Sequence, residues 1–304
     1  MTPQAFSVIA DLVKARSGMI LGPDKTYLLE TRLSPLLRSE NLPSLDALAA
    51  RLREPRSEAL AAKVVEALTI NETFFFRDIK PFNHFRDVTL PALLASRPPG
   101  STIRIWSAAA STGQEAYSIA MILSDAAPRL AGRRFEILGT DISRDVLEKA
   151  RAGLYSQFEV QRGVPITALV KHFKKEGENW RINEALRQMV TFREWNLLDD
   201  PRPLGVFDVI FCRNVLIYFD TATKKNVLDA LLRQLAEDGT LYLGGAETVL
   251  GLTDRLKPLA PGTGAYGRTG AKILPLMKST NVAEASSTER REVSMTRSGR
   301  VGAS

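Results

Sequence analysis

The sequence predicts an α/β protein built on a doubly wound, mostly parallel sheet that follows a purely helical region. From about residue 100 onward, short apolar segments alternate with segments of helical periodicity, which is typical of strands joined by crossover helices. The stretch 153–188 interrupts this alternation and looks like an insertion. The expected strands are 102–107, 135–140, 189–194, 206–212 and 240–244, and the expected helices are 114–125, 143–152 and 221–236.

Residues 1–80 show only the three- and four-residue apolar spacing of helices. The segments "SGMILGPD" and "ENLPSLD" contain the glycine, proline and asparagine residues that interrupt helices, so three to five short helices are expected. Ser44 stands directly before one of the apolar runs and is the expected N-cap of that helix.

Composition restricts the functional classes. The chain of 304 residues is 44% hydrophobic and 25% charged, as expected for a globular protein with a substantial core. Cys212 is its single cysteine, which excludes an internal disulfide, and its two histidines, His84 and His172, lack metal-ligand spacing. The N-terminus does not have the pattern of a signal peptide, and no run of eighteen apolar residues is present. A cytoplasmic protein without direct membrane insertion is therefore expected.

The formal net charge of +7 is concentrated at the C-terminal end. Residues 267–304 hold 7 Lys and Arg against 3 Asp and Glu, so this segment supplies +4 of the +7. The rest of the chain is nearly balanced, and the charge is weak evidence for a polyanionic partner. No nucleic-acid partner is expected.

In an open α/β sheet, ligands bind beyond the carboxyl ends of the strands, so the segments "SAAASTGQE", "GTDIS" and "CRNVLIYFD" form the candidate site. Asp141 follows the second strand, where a carboxylate can accept both hydroxyls of a ribose. Capping of the helix that begins near Ser143 is an equally good interpretation. Glu115 lies in a first helical turn, where "STGQ" and "TGQE" fit capping boxes, so its position alone favours a structural role.

The first strand is followed neither by a G-x-G-x-x-G fingerprint nor by a Gly-Lys-Ser/Thr phosphate loop. A nucleoside ligand without phosphates needs small residues for close approach, and carboxylates for its hydroxyls and cationic groups. S-adenosylmethionine is such a ligand, because it has a sulfonium and an ammonium where dinucleotides have a pyrophosphate. The segments at the strand ends therefore indicate a methyltransferase-like sheet.

The segment after the fourth strand bears on the methyl acceptor. Enzymes that methylate amino groups of nucleic acids have an Asn/Asp-Pro-Pro-Tyr-like turn at this place, whereas this chain has Arg213, Asn214 and Val215. Methylation of a cytosine carbon needs an activated cysteine. Cys212 falls inside the apolar strand "FDVIFC", which favours a buried, inert thiol. Neither nucleic-acid chemistry fits.

Three segments resemble the CheR family, the methyltransferases that esterify glutamates on bacterial chemoreceptors: "NETFFFRD" (71–78), "GTDIS" (139–143) and "FDVIFCRNVLIYFD" (207–220). The resemblance covers about residues 5–268 in matching order. It implies a class I S-adenosylmethionine-dependent methyltransferase fold with an all-helical N-terminal domain and a small inserted β-subdomain. The implied organisation is a helical domain with a linker at 1–80 and a methyltransferase domain at 81–270 that contains the subdomain at 153–188. The near absence of large apolar residues after this domain separately predicts a disordered tail at 271–304.

The resemblance also implies roles for individual residues. Arg77 is expected to orient the substrate carboxylate, assisted by Tyr218 in the methyl-transfer pocket; for Arg77, a surface salt bridge is the alternative. Independently of the resemblance, the apolar run "TFFF" predicts that Phe74–Phe76 pack in the core. The residues expected at the cofactor are Asn71, Thr73 and Arg77 from the linker, Glu115 at the methionine end, Asp141 at the ribose, Asn196 and Leu197 beside the adenine, and Arg213 and Asn214 near the methionyl group.

The sequence departs from the family at two motifs. Where the family usually reads Gly-Cys-Ser-Thr-Gly-Glu-Glu-Pro-Tyr, this chain has "AAASTGQEAY" (108–117), so Gln114 replaces the first acid. The usual Gly-His-Ser-Glu appears as "GGAE" (244–247). These losses support an alternative, a catalytically weak regulator that binds S-adenosylmethionine or its product S-adenosylhomocysteine. An active protein-glutamate O-methyltransferase is favoured, and a nucleic-acid methyltransferase is the third possibility.

The expected partner is the cytoplasmic domain of methyl-accepting chemoreceptors. Some family members anchor to a peptide at the receptor C-terminus through a long, glycine-containing loop of the inserted subdomain. Here the corresponding stretch, 171–186, is short and has Gly177 as its only glycine, which predicts methylation without the tether. Recognition then falls to arginines of the helical domain, with solvated surface charges as the alternative: Arg32, Arg38, Arg51, Arg53 and Arg56.

Overall fold

The N-terminal region of the computed structural model forms four helices around an apolar core of its own. The structure describes residues 1–130 and 132–270. Ile9, Val13, Leu29 and Leu33 are completely buried in this core. The helices are α1 (Pro3–Ser17), α2 (Thr26–Ser39), α3 (Leu45–Leu52) and α4 (Glu58–Leu68), a number within the predicted range.

Local capping explains where these helices begin and end. The Thr2 hydroxyl accepts a hydrogen bond from the Ala5 amide (3.2 Å) at the start of α1. Gly18 ends this helix in the left-handed conformation (φ 78°), which glycine adopts without steric cost. The Ser44 hydroxyl accepts from the Ala47 amide (3.1 Å), so the predicted N-cap of α3 is confirmed.

The linker, residues 69–79, has no regular secondary structure and leads into α5 (Lys80–His84) and α6 (Leu90–Ser96), with a π-helical turn between the two helices. The remaining elements in chain order are β1 (Thr102–Ala108), α7 (Gln114–Asp125), β2 (Arg134–Asp141), α8 (Arg144–Ala152), β3 (Leu154–Ser156), α9 (Gln157–Gln161), α10 (Ile166–His172), β4 (Phe173–Glu176), β5 (Asn179–Ile182), α11 (Glu184–Arg187), β6 (Val190–Glu194), β7 (Phe207–Cys212), α12 (Thr221–Gln234), β8 (Leu235–Leu243), β9 (Leu256–Pro258) and β10 (Ala265–Arg268).

The main sheet has seven strands in the order β6-β2-β1-β7-β8-β10-β9. The five strands from β6 to β8 are parallel and correspond to the five predicted strands. The chain builds β1, β2 and β6 towards one edge and then returns to place β7 on the other side of β1. The direction of strand order therefore reverses between β1 and β7, which is where an open α/β sheet binds its ligand.

The two antiparallel strands at the other edge, β9 and β10, are absent from the sequence prediction. They have three and four residues, and "LKP" and "AYGR" contain too few apolar residues to show the alternation of a strand. They form because β10 pairs with β8 and supplies the buried Ala265 to the core.

Within the stretch 153–188, the chain forms a second, three-stranded antiparallel sheet in the order β3-β5-β4. We call the segment 154–182, with α9 and α10, the inserted sheet. The predicted fold class of a doubly wound parallel sheet with a helical region and an inserted β-sheet is confirmed. The predicted disordered tail lies outside the described residues.

Both faces of the main sheet are covered by apolar side chains. Trp106 and Phe207 are buried on one face with α12, whereas Phe211 and Tyr242 stack on the other (ring centroids 4.4 Å apart). Cys212 is completely buried in β7, and burial raises the pKa of its thiol well above the usual value. The interpretation of an inert thiol therefore stands. Over residues 1–130 and 132–270, no helix has the length and apolar character needed to cross a bilayer.

Candidate active site

One cavity lies at the carboxyl ends of β1, β2 and β7, at the point where strand order reverses. It holds about 930 Å³ of empty space, including the part that is open to solvent. Its wall brings together all ten residues that the sequence singled out: Asn71, Thr73, Arg77, Glu115, Asp141, Asn196, Leu197, Arg213, Asn214 and Tyr218.

The turn after β1 brings backbone, rather than side chains, up to the cavity. Ala109 and Ser111 have positive φ angles of 65° and 50°, which non-glycine residues seldom adopt. Gly113 follows with φ 93°, and a Cβ there would lie 2.9 Å from Ala150 Cβ and 3.1 Å from the Phe192 ring. Only glycine fits this position, because α8 and β6 pack against it. The small residues in "SAAASTG" thus permit the tight turn on which the site is built.

Asp141 is held by backbone amides at the end of β2. Its Oδ2 accepts from the Ser111 amide (2.8 Å), and its Oδ1 accepts from the Ser143 amide (3.0 Å). Burial raises the pKa of Asp141, opposed by these backbone hydrogen bonds. The Ser143 side chain accepts from the Val146 amide and caps α8, so Asp141 is not the helix cap. Its carboxylate joins two strand-end loops at the cavity.

Glu115 and Arg213 form a buried ion pair across β1 and β7. Glu115 Oε2 accepts from Arg213 Nη1 (2.9 Å), and Glu115 Oε1 accepts from the Ser107 hydroxyl (2.8 Å). Burial raises the pKa of Glu115, and the Arg213 charge opposes that shift. Gly113, at the N-cap of α7, makes no side-chain capping bond, so the expected capping boxes do not form there. Glu115 is therefore held by the ion pair and not by a capping role.

Arg213 also connects the sheet to the linker. Its Nη2 donates to the Arg77 carbonyl (2.7 Å) and to Asp78 Oδ2 (2.8 Å). Its guanidinium carbon lies 5.3 Å from the centroid of the Phe82 ring. One buried side chain thus fixes the carboxylate of Glu115 and the backbone next to Arg77.

The segment "GGAE" holds the loop after β7 through its last residue. The two carboxylate oxygens of Glu247 accept four amide hydrogen bonds, from Asn214 (2.8 Å), Val215 (2.9 Å), Leu216 (2.7 Å) and Gly244 (2.6 Å). Asn214 is thereby held in the left-handed conformation, with φ 59°. A Cβ at Gly244 would lie 2.7 Å from Glu247 Oε2 and 2.9 Å from the Asn214 amide, so glycine is required.

The linker forms one side of the cavity. The Ser111 hydroxyl donates to the Asn71 carbonyl (2.8 Å), which ties the linker to the turn after β1. Arg77 is half-buried, and its Nη1 donates to the Glu72 carbonyl (2.6 Å). Among the ion pairs within the described residues, none includes Arg77, so the salt-bridge alternative is not what the structure shows. Phe75 is buried, whereas Phe74 and Phe76 are only half-buried.

The helical domain contributes two cavity residues that the sequence did not reveal, Ser17 and Met19. The Ile20 amide donates to the Tyr218 carbonyl (2.9 Å), and Asn196 Nδ2 donates to the Arg16 carbonyl (2.5 Å). No motif marks these residues, because they reach the site through tertiary contacts alone. The remaining lining residues outside the predicted set are Thr69, Ile70, Glu72, Ala109, Ser111, Ile142, Trp195, Val215 and Phe219.

Two positions at which the chain departs from the family motifs, Gln114 and Gly245, lie away from the cavity wall. Gln114 is buried, and its Oε1 accepts from the Thr112 hydroxyl (2.7 Å); it does not line the cavity within the described residues. Gly245 faces open space, since a Cβ added there would have no atom of the described residues within 4 Å. The acid that remains in each motif, Glu115 and Glu247, makes the contacts described above.

Two family models match the chain. The model described as CheR methyltransferase, all-alpha domain, matches residues 4–69, and the model described as CheR methyltransferase, SAM binding domain, matches residues 71–263. The chain belongs to the CheR methyltransferase family. This match confirms the resemblance, the predicted enzyme class of a protein-glutamate O-methyltransferase, and S-adenosylmethionine as the cofactor.

Curated relatives agree with the family models. A chemotaxis protein methyltransferase of Vibrio parahaemolyticus is 38% identical over 260 residues, which cover 84% of this chain and 94% of the relative. Chemotaxis protein methyltransferase Cher2 of Pseudomonas putida is 37% identical over 241 residues, or 78% and 87% of the two chains. Among solved structures, a TehB-like SAM-dependent methyltransferase from Corynebacterium glutamicum has a TM-score of 0.35 at 17% identity, over 60% of this chain and 87% of that one.

The donors and acceptors of the cavity fit S-adenosylmethionine. Asp141 and Glu115 offer buried carboxylates for hydroxyl and ammonium groups, and the turn after β1 admits a ligand close to the backbone. Two buried donors of lining residues, Arg213 Nε and Trp195 Nε1, have no acceptor among residues 1–130 and 132–270. Buried donors normally have a partner, and the carboxylate and adenine nitrogens of this ligand are acceptors.

Proposed function

We propose that this protein transfers the methyl group of S-adenosylmethionine to specific glutamate side chains in the cytoplasmic domain of methyl-accepting chemoreceptors. The products are a glutamyl methyl ester and S-adenosylhomocysteine. The observation that supports this proposal most directly is the convergence of all ten predicted residues on one cavity in a chain of the CheR methyltransferase family. The printed names of the relatives, chemotaxis protein methyltransferases, agree with a chemotaxis substrate.

The proposed cofactor-binding roles are supported by the position of these residues in the cavity wall. Asp141 binds the ribose hydroxyls, since each of its oxygens retains a lone pair after accepting one amide hydrogen bond. Glu115 and Arg213 bind the methionine end, where the ligand has both an ammonium and a carboxylate. Asn196 and Leu197 lie beside the adenine. Asn71, Thr73 and Asn214 complete the wall.

The reaction needs no general base. A glutamate side chain has a pKa of about 4.3 and is ionised at neutral pH, so it is already a nucleophile. When bound, S-adenosylmethionine supplies an electrophilic methyl group on a sulfonium. The residues of this chain orient the substrate carboxylate and exclude water, which strengthens the attraction between opposite charges. Arg77 provides the cation for that carboxylate, and Tyr218, which lines the same cavity, assists.

The short connections in the inserted sheet are evidence that methylation does not depend on a receptor tether. α10 ends at His172 and β4 begins at Phe173, so no loop separates this helix from the next strand. β4 and β5 are joined by the two residues Gly177 and Glu178 alone. A receptor peptide that adds as a strand to this sheet would need room beside the sheet edge and a loop to hold it there. These short connections provide no such loop.

Receptor recognition falls instead to the helical domain, with one change from the sequence prediction. Arg32 is half-buried and donates to the carbonyls of Leu68 and Thr69, so it fixes the end of α4 rather than facing a partner. Arg38, Arg53 and Arg56 are exposed. Arg51 is exposed too but pairs with Glu54 (3.3 Å). We propose that these four exposed arginines bind the acidic helix of the receptor.

The test is methyl transfer from labelled S-adenosylmethionine to a receptor cytoplasmic fragment. We expect label on the fragment that is released by mild base, with mass spectrometry locating the added methyl groups on glutamates. A fragment in which those glutamates are replaced by alanine is the control. Removal of the receptor's C-terminal peptide should leave the rate unchanged. Base-stable label, or binding of S-adenosylhomocysteine with no transfer to any receptor fragment, would contradict the proposal; the latter would favour the regulator.

A further inference from the structure

The inserted sheet packs directly against the linker that forms one side of the active site. Phe75 of the linker meets the ring edges of Tyr155 (centroids 5.0 Å apart) and Phe173 (5.5 Å), which belong to β3 and β4. Gly163, at φ 130°, lies so close that a Cβ there would overlap the Phe75 carbonyl oxygen. Only glycine permits this approach, so the contact is built into the chain.

Arg162, which follows α9 in the inserted sheet, contacts the same two linker residues as Arg77. Its Nη2 donates to Glu72 Oε1 (2.7 Å), and its guanidinium carbon lies 4.4 Å from the Phe74 ring centroid. Arg77 donates to the Glu72 carbonyl (2.6 Å) and lies 5.6 Å from the same ring. The position of Arg77 therefore depends on Glu72 and Phe74, and Arg162 holds both.

The linker needs such outside support, because its backbone is strained. Phe76, Asp78 and Ile79 have φ angles of 52°, 67° and 32°, which are unfavourable for residues with a Cβ. Strained conformations of this kind persist only where surrounding contacts determine them. Ser118 and Arg213 supply such contacts from the side of the main sheet. Arg162 adds contacts from the inserted sheet to Glu72 and Phe74, which precede the strained residues.

We propose that Arg162 is a positioning residue for methyl transfer, which holds Glu72 and Phe74 so that Arg77 faces the substrate carboxylate. The inserted sheet then has a role in catalysis that is independent of any receptor peptide. This inference rests on the role proposed above for Arg77.

Because the ion pair between Arg162 and Glu72 is exposed, its effect on the position of the linker can be measured apart from its effect on protein stability. The side chains of Arg162 and Glu72 are 43% and 56% exposed, and exposed ion pairs contribute little to the free energy of unfolding. The hydrogen bond from Arg162 holds the pKa of Glu72 below its usual value, and the charges of Arg162 and Arg77 add to this effect. Loss of Arg162 should therefore alter the linker without unfolding the protein.

The experiment compares Arg162→Ala and Arg162→Lys with Arg181→Ala. Arg181 is a matched control, because it lies in the same inserted sheet and donates to Glu176 at the same distance (2.7 Å), yet makes no contact with the linker among those described. For each variant, kcat and KM for a receptor fragment, the Kd for S-adenosylhomocysteine and the hydrogen exchange of residues 71–79 are measured. Arg162→Lys retains a cation for Glu72 but not the planar contact with Phe74.

We expect Arg162→Ala to lower kcat about tenfold, with the Kd for S-adenosylhomocysteine and the melting temperature unchanged and faster exchange over residues 71–79. Arg162→Lys should lie between this variant and the wild type, and Arg181→Ala should match the wild type. An unchanged kcat, unchanged exchange in the linker, or equal effects from Arg181→Ala would each overturn the proposal. If the wild type does not methylate the fragment, the proposed function fails, and linker exchange alone then decides whether Arg162 positions the linker.

Discussion

Two sides of the active site are built in different ways. The floor consists of the strand-end loops 109–113, 141–143, 213–216 and 244–247, and the roof consists of residues 16–19 and the linker. In the floor, carboxylates accept from backbone amides: Asp141 joins the loops after β1 and β2, and Glu247 joins those after β7 and β8. The roof is held through its backbone carbonyls, which accept from side chains outside it: the Asn71 carbonyl accepts from Ser111, and the Arg16 carbonyl accepts from Asn196.

From this difference we expect the floor to determine cofactor binding and the roof to determine the rate of methyl transfer. In the floor, backbone amides fix the carboxylates and the loops that face the cofactor. Substitutions in the floor should therefore change the affinity for the cofactor. The roof is held by separate contacts across longer sequence distances, such as those of Ser111 with Asn71 and of Asn196 with Arg16. Changes in the roof should act on the alignment of the substrate. Four substitutions test this division.

The largest effect is expected from Arg77→Ala in the roof. Misalignment of the reacting groups by about 1 Å costs about a hundredfold in rate, so turnover should fall by that factor or more. The melting temperature should not change, since Arg77 makes no ion pair within the described part of the chain. Steady-state kinetics on a receptor fragment and thermal unfolding measure the two quantities. Arg86→Ala, which removes an exposed arginine paired with Asp87, is the control. Near-wild-type activity in a folded Arg77→Ala protein would remove Arg77 from catalysis.

Asp141→Ala in the floor should weaken the binding of S-adenosylhomocysteine by about 1–3 kcal/mol, or roughly 5- to 150-fold in Kd. The substitution removes the proposed ribose acceptors and releases the amides of Ser111 and Ser143. Calorimetry gives the affinity. Asp145→Ala, four residues further on in the first turn of α8, should bind the ligand as the wild type does. An unaltered Kd for Asp141→Ala would exclude Asp141 from the binding site.

The floor could be predicted from sequence because it is local. The rule that ligands bind beyond the strand ends selects the segments that contain Glu115 and Asp141, although position alone left a structural role open for both residues. The strand-end rule did not reveal that Glu247 holds the loop after β7, or that Glu66 contacts Ser143, because both contacts join segments far apart in the chain. In the roof, Asn71, Thr73 and Arg77 were identified only through the resemblance of "NETFFFRD" to the family motif.

Ser17 and Met19 show where sequence reasoning stops. They line the cavity because α1 ends at Gly18, and the chain that follows pairs with the segment around Phe219. Neither residue has a chemistry that suggests a ligand. The edge strands β9 and β10 were missed for a related reason, since their pairing partners, and not their own composition, make them strands.

A smaller effect is expected from Glu66→Ala, which breaks a contact between the helical domain and the floor. Glu66 Oε1, on α4, accepts from the Ser143 hydroxyl (2.8 Å) and from the Asp145 amide (3.0 Å). Its loss should lower the free energy of unfolding by about 1 kcal/mol and weaken S-adenosylhomocysteine binding a few-fold, because the Ser143 amide also donates to Asp141. Denaturant unfolding and calorimetry measure both.

The control for this change is Glu40→Ala, which removes an ion pair with Lys63 inside the helical domain. It should alter stability slightly and leave ligand affinity as in the wild type. Equal ligand affinities for Glu66→Ala and Glu40→Ala would mean that the contact of Glu66 with Ser143 and Asp145 does not influence ligand binding.

The smallest effect is expected from Gln114→Glu, which restores the acid usual in the family. Gln114 is 1% exposed and bonded to Thr112, and it does not line the cavity within the described residues. A carboxylate there can accept the same Thr112 hydroxyl, so the Kd for S-adenosylhomocysteine should stay within about twofold. Burial of an added carboxylate should lower the melting temperature. Gly245→Ser, at a position that faces open space, is the control and should change neither quantity. Tenfold tighter binding by Gln114→Glu would show that this position, like Glu115 beside it, acts on the cofactor.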